Sequence, residues 1–329
     1  MPDPILRVED LKTHFFTSRG VVRAVDGVSF DINEGELLGL VGESASGKSV
    51  TALSIMRLVP NPPGRTVAGR ILLRGQDLLT KSEKEIREIR GSKVAMCFQD
   101  PMTYLNPVMK IVDQIEESIR IHRSGDLRSA HEDAIKIMEN VQIPSSKLRA
   151  KDYPHQMSGG MRQRILLAIA ISCNPDLLIA DEPTTALDVI VQAEILDLLK
   201  KLKTQMRSSI ILITHDLGIV AELADRVAIM YCGRIVETGL VEDIYSKAAH
   251  PYTKALLESI PRMDLSQIKG ELTAIPGEPP NPITPPSGCR FHPRCRYVQD
   301  RCRDHEPKAF EIGSNHYGSC WLLEGNDQG

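Results

Sequence analysis

An α/β architecture with a helical insertion and a loop-rich tail follows from three features of this 329-residue chain. Over roughly the first 245 residues, β-branched apolar runs alternate with helical patterns, as strands interleaved with helices do. Between Pro101 and Tyr153 the strand signal gives way to helical spacing. Beyond His250 the periodicity fades, and eight of the 21 prolines crowd between Pro276 and Pro307.

The runs ELLGLVG (36–42), KVAMCFQ (93–99), LLIADE (177–182) and SIILITHD (209–216) are short and nearly continuously apolar. Each is followed by turn or polar residues, as strands buried on both faces are. IVDQIEESIRIHRS (111–124) and SAHEDAIKIMENV (129–141) carry apolar residues at helical spacing, and MRQRILLAIAIS (161–172) is strongly periodic. The reading is therefore one α/β domain over 1–248, with a helical subdomain at about 101–165, and an extension over 249–329. A loop-rich segment of that size buries little apolar surface and calls for a staple.

Hydrophobic residues at 42% and charged residues at 25% exclude wholesale disorder. A net charge of −3 argues against a dedicated nucleic-acid binder, which shows a basic excess. No apolar run approaches the ~18 residues of a membrane span. The opening MPDPILRVEDLK lacks the basic and apolar regions of a secretory signal. The expected compartment is the cytoplasm, where disulfides are rare, so the seven cysteines need another explanation.

Gly42-Glu-Ser-Ala-Ser-Gly47-Lys48-Ser49 fits G-x-x-x-x-G-K-[ST] between a strand and a helix, the context that motif requires. Backbone amides and a helix N-terminus wrap a β-phosphate, Lys48 adds charge at the β/γ oxygens, and the Ser49 hydroxyl ligates Mg²⁺. The nucleotide-binding set here is Gly42, Ser44, Ala45, Ser46, Gly47, Lys48, Ser49 and Val50. Asp181 and Glu182 end an apolar strand, where carboxylates are costly unless they meet a cation or a water. Asp181 suits the Mg²⁺ environment and Glu182 the base that polarises an attacking water. Ser158-Gly159-Gly160 opens a periodic helix with an N-cap serine and two open amides, an arrangement suited to a second phosphate.

The last 41 residues hold Cys289, Cys295, Cys302 and Cys320, spaced C-x5-C-x6-C-x17-C. This spacing matches neither a zinc knuckle nor the common ferredoxins, and it leaves zinc, a [4Fe–4S] cluster or free thiols open. Arg290, Arg294, Arg296, Arg301 and Arg303 lie among or beside the first three cysteines. They suit a cluster of net negative charge, anionic lipid headgroups or plain solvation.

In order, these residues resemble the nucleotide-binding subunit of an ATP-binding cassette (ABC) transporter. Walker A is 42–49, Gln99 in CFQDP the Q-loop, MSGGM (157–161) the signature, 177–182 Walker B, TALD (185–188) the D-loop, and His215 in ITHD the switch histidine. FQDPMTYLNPVMKIVDQI (98–115), DEPTTALDV (181–189), HPYTKALL (250–257) and the Cys-rich tail narrow the likeness to the ATP-binding subunits of dipeptide/oligopeptide importers, whose relatives also carry nickel and glutathione.

The resemblance implies an ABC-type P-loop NTPase fold: a RecA-like core, an antiparallel β subdomain and a helical subdomain. It implies ATP held head-to-tail between two such domains. Walker A, Asp181, Gln99 and His215 of one meet Ser158, Gly159, Gly160 and Asp188 of the other. Gln99 contacts Mg²⁺ with Ser49 and Asp181, Glu182 is the catalytic base, and His215 donates to the γ-phosphate. An aromatic upstream of Walker A stacks on adenine: Phe15 is preferred, with Phe16 next. The implied partners are a second, different ATP-binding subunit, two transmembrane permease subunits and, indirectly, an extracytoplasmic solute-binding protein, with no nucleic acid. The implied location is the cytoplasmic face of the membrane. The tail implies a [4Fe–4S] cluster on Cys289, Cys295, Cys302 and Cys320, with zinc the alternative. A soluble ABC ATPase outside transport is the runner-up.

Two positions depart from the family pattern. Ala45 stands where glycine is usual, costing ~1 kcal/mol if its φ is positive. Met161 replaces the glutamine that ends the usual signature.

Overall fold

The computed structural model describes residues 3–123, 126–185, 187–206, 208–259 and 275–325. Among them run the strands β1 (Leu6–Thr17), β2 (Gly20–Ile32), β3 (Leu37–Val41), β4 (Gly64–Leu73), β5 (Gln76–Asp77), β6 (Val94–Cys97), β7 (Leu177–Asp181), β8 (Ser209–Thr214), β9 (Arg226–Tyr231), β10 (Arg234–Leu240), β11 (Phe310–Gly313) and β12 (His316–Gly318). The chain divides into two compact units: Met1–Leu6, Ile32–Leu37 and Leu73–Ile213 form one, and Arg7–Asp31, Leu38–Leu72 and Thr214–Gly329 the other.

In the first unit β6, β7 and β8 are parallel, with Val94 opposite Leu177 and Leu177 opposite Ser209. Every residue of these strands is buried. That is why they read as unbroken apolar runs: parallel strands are covered on both faces. The helical insertion is present as Pro101–Tyr104, Ile111–His122, Leu127–Asn140 and Ser146–Arg149, leading to Gly159–Ile171. Ile111, Ile115 and Ile119 form one buried stripe, and Ala130, Ala134 and Met138 another. This is the i, i+4 spacing that marked both helices in the sequence. Asp126 caps the second of them, accepting from the Ser129 amide at 2.7 Å. Ser124, in the first run, lies outside the described residues.

In the second unit β3 runs parallel to β9, β10 pairs antiparallel with β9, and β12 pairs antiparallel with both β10 and β11. Cys232 (φ 44°) and Gly233 (φ 80°) make the two-residue turn between β9 and β10, which needs positive φ at both positions. β1 lies between β2 and β4 in a separate sheet. Only two residues join β1 to β2, a connection that closes antiparallel strands alone.

The extension departs from the expected loop. Its strands β11 and β12 continue the β9–β10 sheet, so the segment gains a scaffold from residues some 80 positions earlier. It also buries apolar surface of its own. Phe291 packs against Tyr231 (ring centroids 5.2 Å apart) and Tyr252 (5.4 Å), in a cluster with Val41, Val227, Ile229 and Val236. Phe310, Cys320 and Leu323 form a smaller core with Ala249. Burying one such aromatic contributes about 1.5–3 kcal/mol. Sequence periodicity misses these contacts because they are single residues separated by turns.

Glu237 on β10, 1% exposed, ties the segment down. Its carboxylate accepts from the amides of Ala249 (2.8 Å) and His250 (2.9 Å) and faces His316 Nε2 on β12 at 2.8 Å. Burial raises its pKa, but the hydrogen bonds from His316 and the two amides outweigh burial and bring it below the ordinary glutamate value.

Candidate functional site

The phosphate loop follows β3 and opens the helix Lys48–Ile55. Glycine is required at two of its positions. A Cβ on Gly42 would stand 2.1 Å from the Met230 carbonyl oxygen, and one on Gly47 (φ 107°) 2.3 Å from that of Ala24. The helix has no side-chain cap and no acidic residue in its first turn, so its positive end stays available to an anion. Lys48, 5% exposed, donates from Nζ to the carbonyls of Gly42 (2.8 Å) and Glu43 (3.0 Å). Ser46 is buried, while Ser44 and Ala45 are exposed on the loop's crest. Ala45 has φ 62°, so the left-handed cost anticipated for a non-glycine residue applies.

Phe15, on β1, is half-buried against Gly64: a Cβ there would stand 2.8 Å from its Cε1. Phe16 is 52% exposed. The two neighbours face opposite ways, as strand residues do. His215 follows β8 directly and is exposed; Asp216 after it caps the helix Leu217–Leu223, accepting from the Gly218 amide at 2.7 Å.

The carboxylates belong to the first unit. Asp181 ends β7 and is 6% exposed. Burial, with Asp181's charge adding to it, pushes the neighbouring Cys97 thiol up to about 12. Glu182 has φ 44°, a strained backbone of the kind found at sites of function. Its Oε2 accepts from Gln99 Nε2 at 2.9 Å and from Thr185 Oγ1 at 2.9 Å. Residues 83 apart in sequence, read separately as Q-loop and base, are thus in direct contact.

Ser158 caps the helix Gly159–Ile171, its Oγ accepting from the Met161 amide at 3.3 Å. That bond uses the backbone of Met161, so the side-chain change there leaves the cap intact. Asp188 accepts from the Val191 amide at 3.0 Å and caps the helix Val189–Met206. Ala186, within the TALD segment, lies outside the described residues.

In the extension Cys289, Cys295, Cys302 and Cys320 line one small cavity together with His250, Phe291 and Trp321. Burial pushes the Cys289 thiol up to about 12 and raises Cys295 and Cys320. Among the described residues no group of three or more His, Cys, Asp or Glu side chains converges tightly enough to hold a metal ion. The arginines among these cysteines are mostly committed to protein partners. Arg290 pairs with Asp26, Arg294 with Glu43, Arg296 with Glu258 and Arg301 with Glu324.

Two residues that the sequence does not connect with the phosphate loop touch it. Tyr252 Oη accepts from the Glu43 amide at 3.0 Å, and Arg294 grips the Glu43 carboxylate with both terminal nitrogens (2.7 and 3.1 Å). The available signal was HPYT at 250–253. His250 Nδ1 accepts from the Tyr252 amide at 3.0 Å, capping a helix with Pro251 in its first turn, and so fixes where Tyr252 enters.

Comparison with known proteins decides the family. The ABC transporter profile matches residues 25–185, and the profile of the oligopeptide/dipeptide transporter C-terminal region matches 236–302. The oligopeptide transport ATP-binding protein OppD of Bacillus subtilis (strain 168) is 50% identical over 319 residues, covering 97% of this chain and 89% of that protein. This chain belongs to the ATP-binding proteins of oligopeptide/dipeptide ABC transporters. The dipeptide transport ATP-binding protein DppD of the same organism is 48% identical over 322 residues, covering 98% and 96%. Among solved structures, the ATP-binding cassette MJ0796 bound to ADP and Pi superposes with a TM-score of 0.65 at 24% identity, over 72% of this chain and 98% of that one. That match shows an ABC ATPase fold. The family assignment makes this an ATP-binding protein, with the Mg²⁺ that ABC ATPases use.

Proposed function

We propose that this chain is the ATP-hydrolysing subunit of an importer that carries dipeptides or oligopeptides across the cytoplasmic membrane. The observation that carries the chemistry is Glu182, a strand-end carboxylate already hydrogen-bonded to Gln99. The likeness to OppD and DppD over nearly the whole chain, extension included, supports peptide as cargo. In this reading residues 1–248 are the nucleotide-binding cassette, with 101–165 its helical part, and 249–329 the extension.

Lys48 exchanges its carbonyl partners for phosphate oxygens, and the amides of 44–50 surround the β-phosphate. Ser49, Gln99 and Asp181 are the residues that would hold Mg²⁺, which supplies charge neutralisation at the β/γ oxygens. Asp181 at the buried end of β7 and Ser49 in the first turn of an uncapped helix are hard oxygen donors that suit it. Glu182 accepts the proton of the attacking water, His215 donates to the γ-phosphate, and Phe15, or the more exposed Phe16, stacks on adenine. Ser158, Gly159, Gly160 and Asp188 act on the nucleotide of a second ATP-binding subunit, so hydrolysis loosens the pair. Two permease subunits carry the peptide, and a solute-binding protein delivers it. Among the described residues no helix is long and apolar enough to cross a membrane, which is consistent with peripheral attachment.

Cys289, Cys295, Cys302 and Cys320 are the ligands of a [4Fe–4S] cluster in this reading. What supports it is that all four cysteines line one cavity, with no carboxylate among the lining residues. Zinc on the same four thiolates is the alternative. The cluster supplies cross-linking of a loop-rich segment.

Reconstitution with the permeases and the partner ATPase tests the function. Peptide-stimulated phosphate release with uptake is the expected result. Stimulation by nickel or glutathione instead identifies a relative with different cargo. Hydrolysis indifferent to the permeases contradicts transport and favours a soluble ABC ATPase.

A further inference from the structure

The phosphate motif leaves its second position open, and this chain fills it with an acid. A carboxylate beside a bound triphosphate is electrostatically unfavourable unless its charge is met. Glu43 is met by Arg294, at 2.7 and 3.1 Å, in the two-pronged geometry that suits guanidinium and carboxylate. The Arg294 side chain is 5% exposed and is further held by the Pro276 carbonyl (2.9 Å) and Tyr231 Oη (3.3 Å). The Glu43 amide donates to Tyr252 Oη, and its carbonyl accepts from Lys48 Nζ. Tyr252 is 0% exposed, its ring packed on Tyr231 and Phe291. Glu43 is therefore held at its carboxylate and its amide by the C-terminal segment, and at its carbonyl by the lysine that meets the phosphates.

The same segment bears the cysteines. Arg294 precedes Cys295 and ends the short turn His292–Arg294, closed by the Arg294 amide donating to the Phe291 carbonyl at 3.0 Å. Phe291 lines the four-cysteine cavity and abuts Tyr252. Arg294 thus adjoins the cavity wall through the chain, and Tyr252 meets it through the Phe291 ring.

We propose that Arg294 and Tyr252 are positioning residues for the phosphate loop, and that they link nucleotide affinity to the state of the four-cysteine cavity. The positioning half stands on contacts within the chain. The linkage half rests on the reading of the four cysteines as a cofactor site. Linkage is reciprocal: if the filled cavity tightens nucleotide binding, nucleotide protects the cavity by the same factor.

The test uses the full-length chain assembled with its partner ATPase and permeases, MgATP, and the variants Arg294→Met, Glu43→Gln and their combination. Arg294→Met strands the Glu43 charge and is expected to raise KM and the MgATP dissociation constant about tenfold with kcat preserved, within the usual range of coupling between sites. Glu43→Gln has a small effect, and in the double variant it restores affinity to near its own value. Unchanged affinity in Arg294→Met, or a double variant as weak as Arg294→Met, overturns the positioning role. If Arg294→Met does not fold, Tyr252→Phe, which removes one hydroxyl, is expected to raise KM alone; a fall in kcat alone overturns it. For the linkage, per-residue alkylation of Cys289, Cys295, Cys302 and Cys320 is followed with and without MgATP. Slower alkylation with nucleotide in the wild type, and no nucleotide effect in Arg294→Met, is expected. Equal wild-type rates overturn the linkage. Wild-type protein lacking iron and acid-labile sulfide removes the cofactor reading and the linkage with it, while the affinity cycle still decides the positioning role.

Discussion

The phosphate loop and the C-terminal segment are held in shape by opposite means. The loop is shaped largely by its own residues: glycines where a side chain would strike backbone, and a lysine folded onto carbonyls five and six positions back. The segment takes its shape from distant partners. Arg290 reaches Asp26 over 264 positions, Arg294 reaches Glu43 over 251, and His316 reaches Glu237 over 79. Damage to the loop strikes chemistry directly. Damage to the segment strikes stability first and, among the described residues, reaches the loop through Glu43.

Substitutions sharpen that contrast, beginning with the largest effect. Glu182→Gln keeps the shape of the strand end and removes the base. Steady-state phosphate release should fall by about 10²–10⁴ while MgATP still binds; normal turnover breaks the assignment. Glu237→Leu leaves the His316 partner and two buried amides unmet. It should cost about 3–5 kcal/mol in chemical denaturation, with β12 released first in hydrogen exchange. Because the Glu237 pKa is depressed in the folded state, its contribution is complete above the ordinary value of 4.5 and is lost as pH falls through the lower folded value. Acid unfolding of the extension should therefore begin below about pH 4.5 in the wild type, and the acid-dependent step should vanish in Glu237→Leu. Lys48→Ala removes charge-assisted bonds worth about 1.5–3 kcal/mol, so MgATP affinity should drop by roughly 10- to 150-fold with little change in unfolding midpoint. Ala45→Gly gives the smallest change. It relieves left-handed strain of about 1 kcal/mol, partly offset by greater freedom of the unfolded chain, and calorimetry should show a slightly raised unfolding midpoint.

The same contrast explains how far the sequence could be read. β3, β6, β7 and β8 were legible because a strand covered on both faces writes itself as an apolar run. The insertion helices were legible from their i, i+4 stripes. Gly42, Lys48, Ser158 and Asp181 were legible because backbone amides and strand ends impose residue types at fixed spacing. The Glu182–Gln99 contact was not, since adjacency of two strand ends is tertiary. Nor were β11 and β12, whose few residues acquire strand geometry only by pairing, β12 on β10 and β11 on β12. Tyr252 and Arg294 sat inside segments already singled out, HPYT and the arginines among the cysteines, yet their shared target lies more than 200 positions earlier. The sequence leaves the arginines open as counter-charge for a cluster, lipid contacts or solvated groups; four of the five have carboxylate partners within the chain.

ATP consumption by the complete assembly tests the central claim most directly. With this chain, its partner ATPase and both permeases in sealed vesicles, a transported peptide should raise phosphate release and peptide uptake together. Glu182→Gln should abolish both. Uptake that survives in that variant, or an assembly that never consumes nucleotide in the presence of magnesium and peptide, would contradict it.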